Sequence, residues 1–364
     1  MRYIGPAQKM GTSEAYAMIL AGGGGTRLWP ASRRRRPKQL LTLGGTESLL
    51  GATFRRVEAV FGREHILVVT AADQVEALQK VLPQLPPENL VAEPAARNTA
   101  AAVGLGAAVV ARRAGPGAVL AVLPADHHIG DEAGFAATLR TAIGQAREAI
   151  VTVGIRPTGP ETGFGYIEQG APLAEGVYQV ARFVEKPNAA RAAEYLAAGT
   201  YLWNSGMFFF TAERLLAEAR RHLPELGAAL DTLVAASDFP TALRSLYPGV
   251  PAISIDYGIM EKTAGIRVVP GDFGWNDVGS WAALPSIRPA DGAGNVVSGD
   301  TVVAESRGSI VLSEPGAPLV GVVGVDNLVV IATADAVLVV PKDRAQEVRR
   351  VVDALAAAKR QDLL

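Results

Sequence analysis

The first feature that could do chemistry is a run of glycines beside a cluster of cationic side chains. Gly22 to Gly25 follow the apolar stretch YAMIL, and they are followed by Arg27, the run Arg33 to Arg36, and Lys38. Glycine adopts backbone angles that other residues avoid, and it lets a ligand approach main-chain N–H groups closely. Such a loop beside cationic side chains predicts a phosphate site.

This loop matches neither of the two best-known phosphate motifs. A Walker loop requires Gly-Lys followed by Ser or Thr, whereas Gly25 is followed by Thr26 and Arg27. A dinucleotide fingerprint requires a third glycine at the position that Arg27 occupies. Two interpretations stay open at this point: a different phosphate loop, or a flexible turn followed by a solvated run of charge.

Two aspartates from distant segments form the second feature. Asp126 stands in LPADHH, directly after the apolar run 118–124, and Asp277 stands in DFGWNDVGSW. A magnesium ion that bridges phosphates takes few protein ligands, and carboxylates from separate segments suit it. Taken singly, each aspartate is more typical of a helix cap or a turn. The chain has no cysteine to join His127 and His128 in a zinc site, which favours packing or hydrogen bonding for both.

Two further stretches place polar residues in apolar surroundings. Glu185 and Lys186 precede Pro187 in FVEKP, and Asn204 and Ser205 lie among aromatic residues in YLWNSGMFFF. Buried polar groups need partners, so these side chains either bond one another or bind a polyhydroxylated ligand. Lys186 by itself is equally compatible with an ordinary surface charge. The Gly-rich stretch ETGFGY adds a loop able to present backbone N–H groups.

The elements that must position these residues alternate between strand and helix. Apolar runs typical of buried strands are YAMIL, ILVVT, AVLAVLP and IVTVG, and Ala-rich segments with helical spacing lie between them, such as 99–113 and 135–149. This alternation predicts an α/β fold with a doubly wound, mostly parallel sheet. Ligands of such sheets bind beyond the carboxyl ends of the strands, where the glycine run lies.

The composition changes after about residue 281. Residues 295–340 are rich in Val, Gly, Asp and Ser without a long helical pattern, and helical spacing returns at 342–359. We therefore predict a large α/β domain over 14–285 and a small β-rich C-terminal domain with a terminal helix over 295–364. Periodicity leaves open whether the short strands form a sandwich, a barrel or the coils of a β-helix.

Composition argues against several functional classes. Lys and Arg number 35 against 36 Asp and Glu, so no overall basic field indicates nucleic-acid binding. The absence of cysteine excludes disulfides and thiolate metal sites. No run of about 18 or more apolar residues appears, and the first residues lack a hydrophobic signal core, so we expect a cytoplasmic protein that binds no membrane. Residues 1–13 are expected to form a disordered leader.

The motifs occur in an order that is typical of one family. GGGGTRLWPASR with PKQ, EPAARNTA, LPADH, TGFGYIE, FVEKP, WNSGMF, SIDYGIMEK and WNDVGSW resemble the nucleotide-sugar pyrophosphorylases, specifically the mannose-1-phosphate guanylyltransferases. The resemblance covers about residues 14–284, and the tail DNLVVIATADAVLVVPKDRAQEV resembles the small C-terminal domain of that family. It implies a Rossmann-like nucleotidyltransferase catalytic domain over 14–285, followed by a β-helix-like domain.

The resemblance implies a reaction as well. GMP would pass from GTP to α-D-mannose 1-phosphate, giving GDP-mannose and pyrophosphate, with Mg²⁺ as the cofactor. The second pKa of a phosphate monoester is about 6, so the attacking oxygen is already anionic and needs no general base. Catalysis would depend on alignment and on neutralising charge. The alternatives are another hexose 1-phosphate or triphosphate as substrate, a related glycosyltransferase, and a catalytically silent regulatory homologue.

Individual roles follow from the same resemblance. The catalytic residues would be Arg27, Lys38, Asp126, Lys186 and Asp277. The metal ligands among them would be Asp126 and Asp277. The nucleotide would contact Ala21, Gly22, Gly23, Gly24, Gly25, Thr26, Arg27, Glu93, Asn98, Thr99, Pro124 and Asp126. The sugar phosphate would contact Gly165, Glu185, Lys186, Asn204, Asp256 and Asp277.

One of these residues is predicted to select the base. Guanine presents a ring N–H and an exocyclic amine side by side, and one carboxylate can accept both, whereas adenine lacks this donor pair. Glu93 ends a short strand just before Pro94, which restricts its backbone and would aim it into the cleft. The alternative is a surface ion pair between Glu93 and Arg97.

The β-rich tail predicts self-association. A segment of about 70 residues buries only around 60% of its surface by itself. NLVVIATADAVLVV is apolar with few charges, so it would be an aggregation hazard as an exposed sheet edge. We therefore predict a homodimer that makes its contacts through this tail.

Overall fold

The computed structural model describes residues 15–43 and 46–364, and the predicted leader lies outside these residues. In the described part of the chain the strands are β1 (Ala15–Ala21), β2 (Ile66–Ala71), β3 (Leu90–Glu93), β4 (Val119–Pro124), β5 (Val151–Ile155), β6 (Tyr166–Ala174), β7 (Val177–Val184), β8 (Tyr201–Thr211), β9 (Arg267–Gly271), β10 (Val296–Ser298), β11 (Thr301–Ala304), β12 (Ile310–Ser313), β13 (Val320–Val323), β14 (Leu328–Ala332) and β15 (Val337–Pro341). The α-helices are α1 (Leu49–Phe61), α2 (Val75–Val81), α3 (Asn98–Ala114), α4 (Glu132–Gln145), α5 (Ala189–Ala198), α6 (Ala212–His222), α7 (Pro224–Ala235), α8 (Phe239–Leu246), α9 (Ile255–Gly258) and α10 (Arg349–Ala357).

The first nine strands of the described residues form one sheet, in the order β3-β2-β1-β4-β8-β5-β9-β7-β6. β1 pairs in parallel with β2 and β4, and β2 pairs in parallel with β3. β8 runs antiparallel between β4 and β5, and β5 pairs in parallel with β9. The four apolar runs lie in β1, β2, β4 and β5. β7 is antiparallel to β6 and β9, so seven of the nine described strands of this sheet run in one direction and only β7 and β8 run against them. The predicted α/β fold with a doubly wound, mostly parallel sheet is confirmed.

Helices cover both faces of this sheet because the side chains of a strand alternate between its faces. In β4, Leu120 and Val122 pack in the buried cluster that includes α3, α6 and α7. Ala121 and Leu123 pack in the cluster that includes α1 and α4. The strand is therefore buried on both sides, which explains why it reads as a continuous apolar run.

The C-terminal strands stack as the coils of a β-helix. β10, β12 and β14 pair in parallel, and β11 pairs in parallel with β13. Sandwiches and up-and-down barrels pair sequential strands antiparallel, whereas here the first two coils each add one strand to each of two parallel stacks. Of the three arrangements left open by periodicity, the β-helix is the one observed. β15 closes the larger stack and runs antiparallel to β14.

This C-terminal domain packs directly against the segment that follows the glycine run. Leu28 and Trp29 share a buried cluster with Ile310 and Ile331 of β12 and β14. The cluster joins the two domains through apolar side chains that are almost fully buried. The glycine run is thereby held close to the C-terminal domain.

Two arginines of the cationic run reinforce the contact between the domains. Arg33 donates to Asp335 at 2.8 Å and to the carbonyl of Leu363 at 2.6 Å. Arg36 pairs with Glu314 at 2.6 Å. Both arginines therefore bind carboxylates of the C-terminal domain rather than standing free for a ligand phosphate.

Within residues 15–43 and 46–364, no helix has both the length and the apolar composition needed to cross a membrane.

Candidate active site

The glycine run leaves β1 at the carboxyl edge of the sheet and folds back against Lys38. Gly25 has a φ of 59°, in the left-handed region, and a Cβ on it would collide with the side chain of Lys38. Glycine is required here for both reasons. Ser32 donates to the carbonyl of Gly25 at 2.7 Å, which fixes the turn. The loop predicted to bind phosphate is therefore fixed in one conformation at Gly25, unlike a flexible linker.

Lys38 joins the segments that carry the two predicted metal ligands. Its Nζ lies 2.7 Å from Oδ2 of Asp126 and donates to the main-chain carbonyl of Asp277. The lysine is buried, and a buried cation needs such partners. The resemblance implied a catalytic role for Lys38, and the structure places it as a bridge between Asp126 and Asp277.

Six of the predicted site residues line a single cavity of about 300 Å³, namely Gly25, Thr26, Arg27, Lys38, Asp126 and Asp277. Arg27 and Asp277 also line a larger neighbouring cavity of about 890 Å³, which extends to the C-terminal domain. Cationic and anionic side chains therefore face one space beside the glycine run. Such a space suits a polyanion accompanied by a cation.

The charges in this cavity keep Asp126 ionised. Burial alone would raise the pKa of Asp126, but the positive charge of Lys38 helps to outweigh burial and holds that pKa below its ordinary value. Burial lowers the pKa of the neighbouring His127 to about 4. Trp275 donates its indole N–H to Nδ1 of His127 at 3.0 Å, so the imidazole is a neutral hydrogen-bond acceptor there. His127 has the hydrogen-bonding role predicted for it.

Asn204 organises a second cluster of predicted residues. Its Nδ2 donates to Oδ1 of Asp256 at 2.9 Å, and its backbone N–H donates to the carbonyl of Gly165 at 2.8 Å. Its Oδ1 accepts from Thr152 at 3.3 Å, so the orientation of the amide is set from both ends. A Cβ on Gly165 would lie 2.5 Å from Oε2 of Glu185 and 3.2 Å from Cβ of Asn204, so a larger residue would force the Glu185 side chain to move.

Glu185 and Lys186 add a charged pair to the same cluster. The Glu185 side chain is 6% exposed and that of Lys186 is 54% exposed, and Nζ of Lys186 contacts Oε1 of Glu185. Burial opposes the charge of Lys186, but the carboxylates of Glu185 and Asp256 raise its pKa above the ordinary value. Lys186 has a φ of 48°, which is uncommon for a residue with a Cβ. The pair presents one firmly charged ammonium group beside a buried carboxylate.

The residues predicted to bind the base lie where β3 ends and α3 begins. Glu93 is buried, and the hydroxyl of Tyr247 donates to its Oε1 at 2.5 Å. Oδ1 of Asn98 accepts from the backbone N–H of Thr99 at 2.8 Å. The hydroxyl of Thr99 accepts from the backbone N–H of Ile255 at 2.8 Å. That last contact ties the region to α9, the helix that carries Asp256.

The alternative for Glu93, a surface ion pair with Arg97, does not describe this geometry. Glu93 is buried, and the guanidinium of Arg97 donates to the carbonyl of Pro248. The remaining predicted nucleotide contacts lie at strand ends: the carbonyl of Ala21 accepts from Thr70 at 2.9 Å, and Pro124 ends β4. The glycines from 22 to 24 are exposed beside them.

The structure therefore sorts the predicted residues into three groups. The first lines the cavity of about 300 Å³, the second surrounds Asn204, and the third lies near Glu93. Lys186 and Asn204 do not belong to the lining of that cavity in the described part of the chain. All three groups lie where ligands of doubly wound sheets bind, at the strand ends and the loops that follow them.

Comparison with known proteins places this geometry in a family. Residues 16–293 match the family described as Nucleotidyl transferase, and residues 299–355 match the MannoseP isomerase/GMP-like beta-helix domain. A mannose-1-phosphate guanylyltransferase of Escherichia coli is 42% identical over 352 residues, which cover 93% of this chain and 73% of that protein. The chain belongs to the nucleotidyl transferase family, within its mannose-1-phosphate guanylyltransferases.

Two further relatives match this chain over most of its length. The xanthan biosynthesis protein XanB of Xanthomonas campestris pv. campestris (strain B100) is 43% identical over 357 residues, which cover 96% of this chain and 75% of that protein. A crystal structure from Thermus thermophilus, described as a mannose-1-phosphate geranyltransferase, is 43% identical with a TM-score of 0.86. The superposition covers 94% of this chain and 99% of the other.

Three residues at the site of this guanylyltransferase were not singled out from the sequence. Tyr247 orients Glu93, and Glu261 accepts from the backbone N–H of Glu185 at 2.9 Å. Gln346 accepts from Nη1 of Arg27 at 2.7 Å. Glu261 lies in SIDYGIMEK, a motif that the resemblance already contained. Tyr247 belongs to none of the quoted motifs. Gln346 lies in the tail DNLVVIATADAVLVVPKDRAQEV, for which the resemblance indicated a domain but no role for this residue.

Asp256 should make the stability of the folded chain depend on pH. Burial and the charge of Glu185 raise the pKa of Asp256 to about 6. A raised pKa means that the folded state binds the proton more tightly than the unfolded state does. The contribution of Asp256 is therefore fully present below about pH 4 and is lost as the pH rises through about 6.

Asp256→Asn should remove this dependence while keeping an oxygen that accepts from Asn204. We expect the free energy of unfolding of the variant, relative to that of the wild type, to increase by roughly 2 to 3 kcal/mol between pH 4 and pH 7. Urea denaturation at a series of pH values measures this difference. The exposed Asp300, changed to Asn, serves as a control for the loss of one charge. A difference between Asp256→Asn and wild type that stays constant with pH would contradict the raised pKa.

Proposed function

We propose that the chain transfers GMP from GTP to α-D-mannose 1-phosphate, giving GDP-mannose and pyrophosphate, with the help of Mg²⁺. One observation carries this proposal beyond family membership. Lys38 draws Asp126 and Asp277 together in the cavity that also contains Arg27 and the end of the glycine run. Two carboxylates and two cations around one space are suited to a metal-bound triphosphate whose leaving pyrophosphate gains negative charge during the reaction.

The proposed step is an in-line displacement at the α-phosphorus of the triphosphate. A phosphate oxygen of the sugar phosphate forms a bond to the α-phosphorus, and the bond from that phosphorus to the bridging oxygen of the β-phosphate breaks. The electron pair of the broken bond leaves with pyrophosphate. The nucleophile is anionic at neutral pH, because the second pKa of a phosphate monoester is about 6. The step therefore needs alignment and charge neutralisation rather than a base.

The donor set fits magnesium. Asp126 and Asp277 offer hard carboxylate oxygens, and the lowered pKa of Asp126 keeps it available as an anion. Lys38 engages Oδ2 of Asp126, and the backbone N–H of Gly279 donates to Oδ1 of Asp277 at 3.2 Å. A carboxylate has about four lone-pair sites, so both keep capacity for a metal. When bound, the ion would neutralise charge on phosphate oxygens.

Each of the three cationic side chains would have a separate role in the reaction. Arg27 lines the cavity with its guanidinium near the glycine run, which suits the departing pyrophosphate. Lys38 holds the carboxylate of Asp126 and the main-chain carbonyl of Asp277. Lys186 lies next to Glu185, which supports a division in which the ammonium group binds the sugar phosphate and the carboxylate binds a hexose hydroxyl.

A pyrophosphate-release assay over a matrix of triphosphates and sugar phosphates tests the proposal. We expect the highest kcat/KM for GTP with mannose 1-phosphate, and no release from GTP alone. Highest activity with another pair would reassign the substrates while keeping nucleotidyl transfer. No release from any pair would favour the silent homologue, and hydrolysis or transfer from a nucleotide sugar would favour a glycosyltransferase.

We propose that Glu93 allows the protein to distinguish guanine from adenine. Each carboxylate oxygen has two lone pairs, so the hydrogen bond from Tyr247 leaves capacity for the two guanine donors. Glu93→Gln keeps an oxygen for Tyr247 but loses the charge and one acceptor. We expect the preference for GTP over ATP to fall about ten- to a hundredfold, which corresponds to ~1 to 3 kcal/mol.

Competing turnover of GTP and ATP measures that preference directly. Tyr247→Phe is the matched variant, because it leaves the carboxylate and removes only the group that orients it. We expect it to lower the preference by less than Glu93→Gln does. An unchanged preference in Glu93→Gln would show that discrimination lies elsewhere, in backbone groups of the loop or in Asn98 and Thr99.

We also propose that two copies of the chain associate through the C-terminal domain. β15 is an edge strand of its stack, and it exposes Val337 (56%) and Val339 (61%). Val302 and Val323 of the other stack are also exposed. An apolar edge of this kind is normally covered, and a second copy of the same edge can pair with it.

Light scattering at micromolar concentration should therefore report a dimer. Val337→Asp combined with Val339→Asp should give a folded monomer, because the two charges would be buried without partners in the interface. The same two charges placed at Ala356 and Ala357 of α10, both exposed, control for added charge alone. A wild-type monomer at micromolar concentration would contradict the proposal.

A further inference from the structure

The arginine that follows the glycine run is held by the C-terminal domain. Nη1 of Arg27 donates to Oε1 of Gln346 at 2.7 Å, across 319 positions of sequence. Both side chains line the cavity of about 890 Å³, and Arg27 also lines the smaller cavity with Asp126. The contact therefore lies where the two cavities meet, beside the proposed metal ligands.

Gln346 has a fixed backbone from which to hold that arginine. It belongs to a 3-10 helix spanning Lys342–Val348, in which Ala345 and Val348 are buried in the cluster that contains Leu28. Nζ of Lys342 donates to the carbonyl of Gly308 at 2.6 Å, which ties the start of this helix to the β-helix. The 3-10 helix that carries Gln346 is thus packed against Leu28, the residue that follows Arg27.

The chemistry of the partner distinguishes Arg27 from the other arginines of this segment. Arg33 and Arg36 are each paired with a carboxylate of the C-terminal domain, Asp335 and Glu314. Arg27, which faces the cavities, meets a neutral amide instead. A carboxylate would form a stronger, charge-assisted pair and would compete with a phosphate for the guanidinium. An amide oxygen orients one N–H group and leaves four donors and the full charge for an anion.

We infer that Gln346 is a positioning residue, which orients Arg27 toward the polyphosphate of the substrate and makes the C-terminal domain part of the active site. This inference rests on the proposed function for the identity of the anion. The hydrogen bond itself is exposed to solvent, so it contributes little to stability. Its value lies in restricting the rotamers of a long side chain before the ligand binds.

Binding of inorganic tripolyphosphate in the presence of magnesium, measured by calorimetry, tests the inference without requiring turnover. Gln346→Glu should weaken tripolyphosphate binding roughly tenfold, because the new carboxylate pairs with Arg27 and competes with the anion for its guanidinium. Gln346→Ala should weaken it by a smaller factor, about two- to fivefold, because Arg27 loses only its orientation. Thermal unfolding of both variants should match that of the wild type.

The matched control is Gln361→Glu, which makes the same chemical change at an exposed position of the C-terminal domain that lines neither cavity. It should leave tripolyphosphate binding unchanged. In steady-state kinetics, Gln346→Glu should raise the KM for GTP by a similar factor to the loss of binding, while the KM for mannose 1-phosphate stays within about twofold. On an Arg27→Ala background, the effect of Gln346→Glu on tripolyphosphate binding should largely disappear.

Several results would overturn the inference. The inference is wrong if the wild-type protein does not bind tripolyphosphate. It is also wrong if Gln346→Glu and Gln361→Glu bind tripolyphosphate equally well. A loss of the same size with and without Arg27 would show that the new charge acts directly and not through the arginine. Wild-type protein that binds tripolyphosphate but turns over no pair of substrates would overturn the proposed function alone.

Discussion

Asp126→Ala and Asp277→Ala should each lower kcat by roughly a hundred- to a thousandfold while the protein stays folded. Both aspartates line the cavity beside the glycine run, and Lys38 joins the carboxylate of Asp126 to the main-chain carbonyl of Asp277. Removing either one takes away half of the protein's anionic oxygens for a magnesium ion that neutralises phosphate charge. The loss should therefore appear in the chemical step.

The two aspartates differ in what their removal does to the fold. Asp126→Ala leaves the buried ammonium of Lys38 without its carboxylate, and breaking a buried pair in this way costs about 3 to 5 kcal/mol of stability. Asp126→Asn keeps an oxygen near that ammonium and so separates loss of metal binding from loss of stability. Lys38 meets Asp277 through the main-chain carbonyl, so Asp277→Ala leaves this contact in place.

Pyrophosphate release at saturating magnesium, with circular dichroism of each variant, measures both effects. Asp300→Ala is the control, because Asp300 is an exposed aspartate that lines neither cavity. It should retain wild-type turnover. Full activity of Asp126→Asn or Asp277→Ala at saturating magnesium would refute the assignment of these residues to the metal.

Lys186→Ala should chiefly raise the KM for mannose 1-phosphate and lower kcat/KM by roughly thirty- to a thousandfold, equivalent to about 2 to 4 kcal/mol. The carboxylates of Glu185 and Asp256 raise the pKa of Lys186, so its ammonium group stays charged at neutral pH. The side chain is about half exposed, so a ligand can reach it. Its removal would leave a phosphate without a counter-charge.

The KM for each substrate, measured separately, separates this role from a general loss of activity. The KM for GTP should change little. Lys186→Arg should recover part of the affinity because it keeps the charge, and Lys262→Ala, an exposed lysine after α9, should behave as wild type. An unchanged KM for mannose 1-phosphate in Lys186→Ala would mean that Lys186 is an ordinary surface lysine that does not bind the sugar phosphate.

The strands β1, β2, β4 and β5 of the large domain could be predicted because their patterns are local. β4 is buried on both faces, so its residues read as one apolar run whatever lies next to it in space. Gly25 is required by its own backbone angle as well as by Lys38, so the glycine run marks the loop directly. The functional roles of the residues around it remain predictions.

The C-terminal domain shows where such patterns stop being sufficient. Short apolar strands separated by turns fit a sandwich, a barrel and a β-helix equally well, since each buries alternate side chains. The choice lies in which strands pair and in which direction, as between β10 and β12. Strand direction is set by how the whole coil closes, which no strand encodes alone.

By itself, the sequence determined that this protein has an α/β domain with a glycine loop at a strand end, and that a β-rich segment follows it. Only the tertiary structure decided the partners of the charged side chains. Lys38 bridges Asp126 and Asp277, and Gln346 holds Arg27 from another domain. Backbone periodicity and burial are properties of neighbouring residues, so a sequence displays them. A contact between residues about 300 positions apart depends on how the two domains pack against each other. It produces no periodic pattern in the sequence of either segment.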